Sequence, residues 1–301
     1  MDIKYYSNKD IDKKKWDDCI ANAGNSLIYA YSFYLDNIAK NWDALILNDY
    51  EAVMPLTWNK KYGIKYLYQP PFTQQLGIFS KKPVTENTTQ QFVALAKTTF
   101  KFAEIFLNFP DAGAATKPCA NFILALDQPY KDIEANYKAT FIKSLKHSKK
   151  NMPIYLDAKN YMEVIDAHIK EYSKRTPHVK EKDYAAFANI CRIALSKKML
   201  VIKKVISPHN ELLAIALLLK DNNRLYNILS AVPKQARTSE ANYFLYDELI
   251  KEFSGQVKAL DFEGSDIRGI AEFYKKFGAV DQPYYFLRYN DLPWPLRYLK
   301  G

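Results

Sequence analysis

The chain has 301 residues, of which 48% are hydrophobic and 25% are charged. These fractions are typical of a globular protein and exclude a disordered or fibrous chain. Lysine and arginine outnumber aspartate and glutamate by 43 to 33, which gives a formal net charge of +10. The longest apolar run, residues 212–219, falls well short of the ~20 residues that a membrane-spanning helix needs. Since no signal-peptide pattern opens the sequence either, we expect a cytoplasmic protein without integral membrane association.

The cysteines and histidines show no pattern typical of a metal site or a disulfide framework. The three cysteines, Cys19, Cys119 and Cys191, are odd in number and far apart, so they do not form a set of paired bridges or a metal-binding knuckle. The four histidines lack the spacing of the common metal-ligand motifs. We therefore expect buried free thiols, a reducing compartment and no metal cofactor.

In the first half of the chain, apolar periodicity predicts a helix over residues 10–21 and a longer one over residues 88–107. Short apolar runs bounded by turn-forming residues predict strands. These strands span residues 43–47, 52–58, 64–68 and 122–126. The third of them ends against two prolines, which cannot continue a strand ladder.

Residues 130–150 are predicted to form an amphipathic helix. Apolar side chains recur every four residues along it, at Ile133, Tyr137, Phe141 and Leu145. The opposite face is basic, because five lysines fall within 13 residues that contain no acid: Lys138, Lys143, Lys146, Lys149 and Lys150. This face is either a phosphate-binding surface or an ordinary solvated helix face. We place a domain junction after it, where a new series of strands and helices begins.

The second half has the clearer pattern, in the order strand-strand-strand-helix-strand-helix-strand. The predicted strands span residues 199–206, 212–219, 225–230, 259–262 and 284–289, and the predicted helices span residues 161–173, 183–196, 240–253 and 266–276. The first half shows a fainter version of the same order. The sequence thus predicts an α+β fold with two similar domains, residues 1–150 and 151–301. Each is expected to be a mixed, mostly antiparallel sheet flanked by helices.

The stretch DFEGSDIRGIAEFYKKFGA, residues 261–279, is the most informative in the chain. With the strands and helix before it, it resembles the GNAT acyltransferase superfamily. It is most similar to the tandem-GNAT branch that contains the Fem-type (FemAB-like) aminoacyltransferases and related acetyltransferase-like domains. In that branch a strand ending in Asp-Phe leads through a glycine-containing loop to a short helix, which ends in an aromatic–glycine pair, here Phe277-Gly278. The resemblance implies two GNAT-like domains and covers the first half by element order alone.

The resemblance also implies where an acyl-CoA donor binds. GNAT members hold the CoA pyrophosphate on backbone N–H groups between the fourth strand and the helix after it. The matching loop, residues 230–239, lacks the usual pattern Q/R-x-x-G-x-G/A, so Gln235 or Arg237 would have to reach the phosphates with its side chain. In Fem enzymes a lysine follows the phenylalanine before the final pair, whereas here Tyr274 takes that place and Lys275 follows it. The candidate cofactor-binding residues are therefore Gln235, Arg237 and Lys275.

Candidate catalytic residues lie on the same elements. Asp261, Glu263 and Asp266 cluster where the strand meets the short helix. They either cap the helix and shape the turn or accept a proton from an attacking amine. A tyrosine near the leaving sulfur can act as an acid, for which Tyr243 and Tyr246 are candidates, although the spacing of Tyr243 favours a place in the core. Tyr274, in the place of the Fem lysine, completes the candidate catalytic set of Glu263, Tyr274 and Tyr243.

Three functions remain open on these observations. The leading one is an N-acyltransferase in which an amine attacks an acyl-CoA thioester directly, without a nucleophilic side chain. The second is Fem-like transfer of an amino acid from aminoacyl-tRNA to a cell-wall precursor, with the basic helix holding RNA phosphates. The third is a degenerate GNAT pair that binds a ligand without turnover. We expect an amine acceptor, no DNA partner and a site in the cleft between the domains.

Overall fold

The structure is a computed structural model that describes residues 2–110, 116–264 and 267–300. It divides into two compact units, of which the second comprises residues 120–282 and the first comprises the residues on either side. Asp266, which the sequence placed in the carboxylate cluster, lies outside the described residues. None of the helices in the described part of the chain has the length and apolar character needed to cross a bilayer.

The first unit is built on a mixed sheet. Its helices are α1 (Lys13–Ala21), α2 (Ser32–Ile38) and α3 (Glu86–Thr99). Its first seven strands are β1 (Ile3–Tyr6), β2 (Asn41–Leu47), β3 (Ala52–Lys61), β4 (Ile64–Tyr68), β5 (Phe79–Ser80), β6 (Phe102–Leu107) and β7 (Thr116–Cys119). Strands β2, β3 and β4 form an antiparallel meander. Strand β4 also lies parallel to β6, with Leu67 opposite Ala103.

The helix expected over residues 88–107 is wrong over its last eight residues. Helix α3 ends at Thr99, and β6 follows after a two-residue turn. The apolar residues of β6 suit both spacings, since helical and alternating periods overlap over so short a run. Pairing with β4 decides the outcome, because the strand fills a central position of the sheet.

The second unit has the same plan. Its helices are α4 (Tyr130–Glu134), α5 (Ala139–Lys149), α6 (Tyr161–Tyr172), α7 (Glu181–Ser196), α8 (Ala241–Phe253) and α9 (Arg268–Lys275). Its strands are β8 (Phe122–Ala125), β9 (Ile154–Asp157), β10 (Leu200–Ile206), β11 (Leu212–Lys220), β12 (Arg224–Ala231), β13 (Ala259–Asp261) and β14 (Val280–Asp281). They lie in the order β14-β8-β13-β12-β11-β10-β9, and β12 runs parallel to β13. The predicted class, two α+β domains with mixed and mostly antiparallel sheets, is confirmed.

The boundaries of the two units differ from the predicted domains 1–150 and 151–301. Strand β8, which precedes the predicted junction, pairs with β13 in the second sheet. The last strand, β15 (Tyr284–Asn290), pairs with β6 and β7 in the first sheet. Pairing between segments far apart in sequence therefore sets the division, and local periodicity holds no information about such pairing.

The basic stretch forms two helices, α4 and α5, instead of the single expected one. The chain turns between them, where the backbone N–H of Lys138 donates to the backbone oxygen of Lys276 at 3.0 Å. The five lysines of this stretch are exposed, as expected for either a phosphate-binding or a solvated face. Lys149 also forms an ion pair of 3.2 Å with the buried Asp247 of α8.

The Phe277-Gly278 pair fixes the end of α9 against this turn. The Phe277 ring is fully buried and lies 4.5 Å from the ring of Phe141 on α5. Gly278 adopts a φ of +84°, and a Cβ at this position would lie 3.3 Å from the Cβ of Asn136. The positive φ and the close approach both favour glycine. The pair therefore has a structural role that positions α9.

Candidate functional site

A cavity opens in the second unit where two parallel strands part. Strands β12 and β13 pair over three residue pairs, the last being Tyr226 opposite Asp261. There β13 ends, while β12 continues to Ala231. The cavity lies in this gap and has a volume of about 750 Å³. Its walls come from α6, β12, α8, α9 and the loop before α9.

Half of the predicted site residues line this cavity. Those that do are the three candidates for handling protons: Glu263, Tyr243 and Tyr274. The three candidates for holding the cofactor do not belong to the described part of its wall: Gln235, Arg237 and Lys275. The structure thus brings together the predicted catalytic set and places the predicted cofactor set elsewhere on the second unit.

Aromatic rings form one wall of the cavity. Tyr274 on α9 stacks on Phe262, with 4.6 Å between ring centroids and 21° between planes. The Tyr246 ring lies 5.5 Å from that of Phe262 and 5.9 Å from that of Phe273. Burial raises the pKa of Tyr274 well above its ordinary value of 10. Its hydroxyl therefore stays protonated at neutral pH and can donate a hydrogen bond to a developing anion, but it cannot act as a base.

Glu263 lines the cavity in a strained backbone conformation. Its φ is +67°, in the left-handed region that costs a residue with a Cβ about 1–2 kcal/mol. The backbone N–H of Glu263 donates to Oδ1 of Asp261 at 3.0 Å, which stabilises this conformation. Strain held in place by neighbouring groups is common at active sites. A carboxylate in this position can accept a proton from an amine bound in the cavity.

Asp261 supports the loop and does not line the cavity. Its side chain is buried, and its second oxygen, Oδ2, accepts from Nη1 of Arg224 at 3.1 Å and from Nδ2 of Asn121 at 3.5 Å. Burial raises the pKa of Asp261, whereas Arg224 acts in the opposite direction. The turn-forming role that the sequence left open for Asp261 is the one that its contacts support.

Lys276 is a cavity residue that the sequence prediction missed by one position. Its Nζ donates to the hydroxyl of Tyr243 at 2.8 Å, and both side chains line the cavity. The predicted Lys275 does not line the cavity and instead pairs with Glu272 at 3.3 Å. Neighbouring residues point about 100° apart around a helix, so the phase of α9 decides which lysine reaches the cavity.

The loop between β12 and α8 carries an acidic contact where the resemblance places a pyrophosphate. Gln235 and Arg237 are exposed. Arg237 donates from Nη2 to Oε2 of Glu171 at 2.9 Å, and the backbone N–H of Lys234 donates to Oε1 of the same carboxylate at 3.2 Å. The Glu171 side chain is only 10% exposed. A carboxylate therefore already engages an arginine and an amide that a phosphate would need.

His168 of α6 is a second cavity residue that the sequence analysis did not single out. Its Nδ1 donates to the backbone oxygen of Ser230 at 3.2 Å, so the lone pair lies on Nε2. Burial lowers the pKa of His168 below 6.5, which keeps the ring neutral at neutral pH. The contact joins residues 62 positions apart in sequence, which local spacing does not reveal.

The described part of the chain contains three buried thiols and no cluster of side chains that could hold a metal ion. All three cysteines are buried, and burial raises the pKa of Cys19 to about 11 and that of Cys191 to about 12. Such thiols are poor nucleophiles at neutral pH. Within the described residues, no group of three or more His, Cys, Asp or Glu side chains could hold a metal ion.

Comparison with known proteins identifies the fold. No family model matches the chain, and no curated protein matches it in sequence. FemX superposes with a TM-score of 0.71 and 12% identity, over 100% of both chains. The C-terminal domain of a putative lysylphosphatidylglycerol synthetase from Agrobacterium fabrum has a TM-score of 0.59 and 10% identity, over 96% of this chain and 94% of its own. L-PGS from Bacillus licheniformis has a TM-score of 0.56 and 11% identity, over 96% and 95%.

These likenesses confirm the expected Fem-like fold, which the chain shares with FemX and with the two synthetase structures. Identities of 10–12% establish the fold alone.

Proposed function

We propose that the protein is an acyltransferase, in which an amine bound in the cavity attacks the carbonyl carbon of an activated acyl donor. The observation that carries this proposal is the gap between β12 and β13, with Glu263, Tyr243 and Tyr274 on its walls. The acceptor is proposed to be a small amine or an amine-bearing precursor. Direct attack needs no nucleophilic side chain, and the inert cysteines are consistent with it.

The donor proposed first is an acyl-CoA. Beyond Tyr226, the edge of β12 no longer has β13 beside it, so it can bind an extended ligand through backbone hydrogen bonds, as an added strand would. The amides of the pantetheine arm suit such an edge. The aromatic wall around Tyr274 and Phe262 then offers an apolar surface to the acyl group.

The proposed reaction forms one C–N bond and breaks one C–S bond. The amine nitrogen attacks the thioester carbon, and the carboxylate of Glu263 accepts the proton that the nitrogen loses. The Tyr274 hydroxyl, which burial keeps in its neutral form, donates a hydrogen bond to the thiolate that leaves. The proton on Glu263 then passes to this thiolate, which restores the carboxylate, and the products are an amide and a thiol.

Aminoacyl-tRNA is the second candidate donor, and a specific contact favours it. Glu171 of α6 accepts hydrogen bonds from the loop on which a CoA pyrophosphate would bind. A phosphate that approached Arg237 would therefore be repelled by the Glu171 carboxylate. The exposed lysines of α5 offer a separate surface for RNA phosphates. One solved structure with this fold is the C-terminal domain of a putative lysylphosphatidylglycerol synthetase, a name that is consistent with the transfer of an amino acid. In this case the bond that breaks is an ester C–O bond.

Thermal unfolding of the purified protein tests both donors. A ligand that binds the native state alone raises Tm by mass action, by an amount that grows with its concentration. Acetyl-CoA, longer acyl-CoAs and CoA form one series, and aminoacylated and uncharged tRNA form the other. A shift in the first series supports acyl-CoA, and a larger shift with charged than with uncharged tRNA supports the second donor. No shift in either series would contradict the proposal and favour binding without turnover.

A further inference from the structure

The innermost wall of the cavity contains a buried amide whose oxygen has no partner. Asn227 of β12 is 5% exposed, and its Oδ1 accepts no hydrogen bond within the described part of the chain. A second buried atom of the same cavity wall, Oγ1 of Thr176, is in the same situation. Buried polar atoms are nearly always satisfied, so each exception calls for an explanation.

A β-bulge places Asn227 on the cavity side of the sheet. Leu218 of β11 lies opposite Asn227 and Leu217 lies opposite Leu229, so Ile228 has no partner on β11. After the bulge, Ser230 lies opposite Ala216, which shares a core with Leu218 and α8. Without the extra residue, positions 227 and 230 would point to opposite faces of the sheet.

The bulge therefore brings two polar side chains to one aromatic hydroxyl. Asn227 and Ser230 both act on the hydroxyl of Tyr246, where they oppose the burial that raises its pKa to about 12. Tyr246 is itself 3% exposed and lines the cavity. The amide of Asn227 is thus held on one side by Tyr246, while its oxygen remains for another donor.

We infer that Asn227 is a specificity-determining residue whose Oδ1 accepts a hydrogen bond from an N–H group of the bound donor substrate. An amide oxygen can only accept, so the complementary group must be a donor. Both proposed donors carry one: the pantetheine amides of an acyl-CoA, and the α-ammonium group of an aminoacyl ester. The inference rests on the proposed acyl transfer, and its test separates the two sources.

The variant Asn227→Leu replaces the amide by methyl groups of similar shape. In the free protein this variant removes only the contact of the amide with Tyr246, because Oδ1 has no partner there, whereas in the complex it also removes the acceptor of a hydrogen bond from the ligand and weakens binding. Asn108→Leu is the matched control in the first unit, because both atoms of its amide are satisfied. Its Oδ1 accepts from the backbone N–H of Ile78 at 3.1 Å, and its Nδ2 donates to the oxygen of Ile78 at 3.0 Å.

The experiment measures Tm without ligand and the Kd for acetyl-CoA, aminoacylated tRNA and uncharged tRNA. We expect Asn227→Leu to lower Tm less than Asn108→Leu, because only one of the two polar atoms of the Asn227 amide has a partner in the free protein. With an acyl-CoA donor, Asn227→Leu raises the Kd of acetyl-CoA about three- to tenfold. With an aminoacyl donor, it removes the preference for charged over uncharged tRNA by a similar factor.

Two results would overturn the inference. One is a Tm loss for Asn227→Leu as large as that for Asn108→Leu, which would make the amide structural. The other is an unchanged Kd or an unchanged charged-tRNA preference. If neither probe binds the wild-type protein, the proposed function fails. The Tm comparison alone then decides whether the Asn227 amide is available to a ligand or contributes to the stability of the fold.

Discussion

The Oδ1 atom of Asp261 accepts the backbone N–H of Glu263 at 3.0 Å, which ties the last residue of β13 to the cavity-lining carboxylate two positions later. The other oxygen of Asp261 pairs with Arg224 on the adjacent strand. One buried carboxylate thus links β13 to β12 through Arg224 and stabilises the positive φ of Glu263.

Removal of Asp261 should therefore destabilise the protein more than removal of an exposed partner. Asp261→Ala leaves Arg224 mostly buried without its counter-charge, and we expect a loss of about 3 kcal/mol in the free energy of unfolding. Asp49→Ala, which breaks the exposed pair with Lys15, should cost less than about 1 kcal/mol. Urea denaturation of both variants makes the comparison, and equal losses would rule out the structural role assigned to Asp261.

Glu263 should separate stability from activity. Glu263→Gln removes the proton acceptor and should lower kcat/KM about a hundredfold or more. Glu263→Gly also removes it but relieves the left-handed strain, so the free energy of unfolding should stay constant or rise by up to about 1 kcal/mol. Steady-state kinetics and urea denaturation give the two readouts. Wild-type kinetics for Glu263→Gln would exclude Glu263 as the base.

The two adjacent lysines at the end of α9 allow a matched pair of variants. Lys276→Ala removes the donor to Tyr243 and should lower kcat/KM about tenfold, the size of effect of one lost charge-assisted hydrogen bond. Lys275→Ala breaks an exposed pair with Glu272 and should leave kcat/KM unchanged. If instead the loss follows Lys275, that residue contacts the donor, as expected of a candidate cofactor-binding residue.

The Glu171–Arg237 pair distinguishes the donors through charge. Glu171→Gln removes the negative charge that pairs with Arg237 beside the loop. An acyl-CoA donor should therefore bind severalfold more tightly to this variant. Binding of aminoacyl-tRNA should change much less if its phosphates lie on α5. Isothermal titration with acetyl-CoA measures the effect. An unchanged acetyl-CoA affinity would mean that the loop does not hold the pyrophosphate.

His168 should make the protein less stable in mild acid. Burial lowers its folded-state pKa below the ordinary 6.5, so as the pH falls through 6.5 the unfolded chain binds the proton first. The free energy of unfolding then decreases with falling pH. His168→Gln should show a flatter decline in Tm between about pH 7 and pH 5 than the wild type. The exposed His209→Gln serves as the control, and equal slopes for all three proteins would contradict a buried neutral His168.

The sequence predicted the elements whose determinants are local. Turn-forming residues after β10 and β11 predicted the meander. The stretch that includes Glu263 and Tyr274 predicted the site through its resemblance to a family. What failed depends on contacts between distant segments. The pairings of β8 and β15, the bulge at Ile228 and the contact from His168 to Ser230 are fixed by tertiary packing, which no local period encodes.

The most direct test of the proposed cavity is hydrogen–deuterium exchange of the protein with the ligand that raises Tm, acetyl-CoA or aminoacylated tRNA. Backbone amides protected by ligand exchange more slowly, and the protected segments locate the site. Slower exchange over residues 227–232, 262–264 and 267–276 is the expected result, because each of these segments contributes residues to the wall of the cavity. Protection of the first unit alone, or the absence of protection in all of these segments, would contradict the assignment of the active site to this cavity.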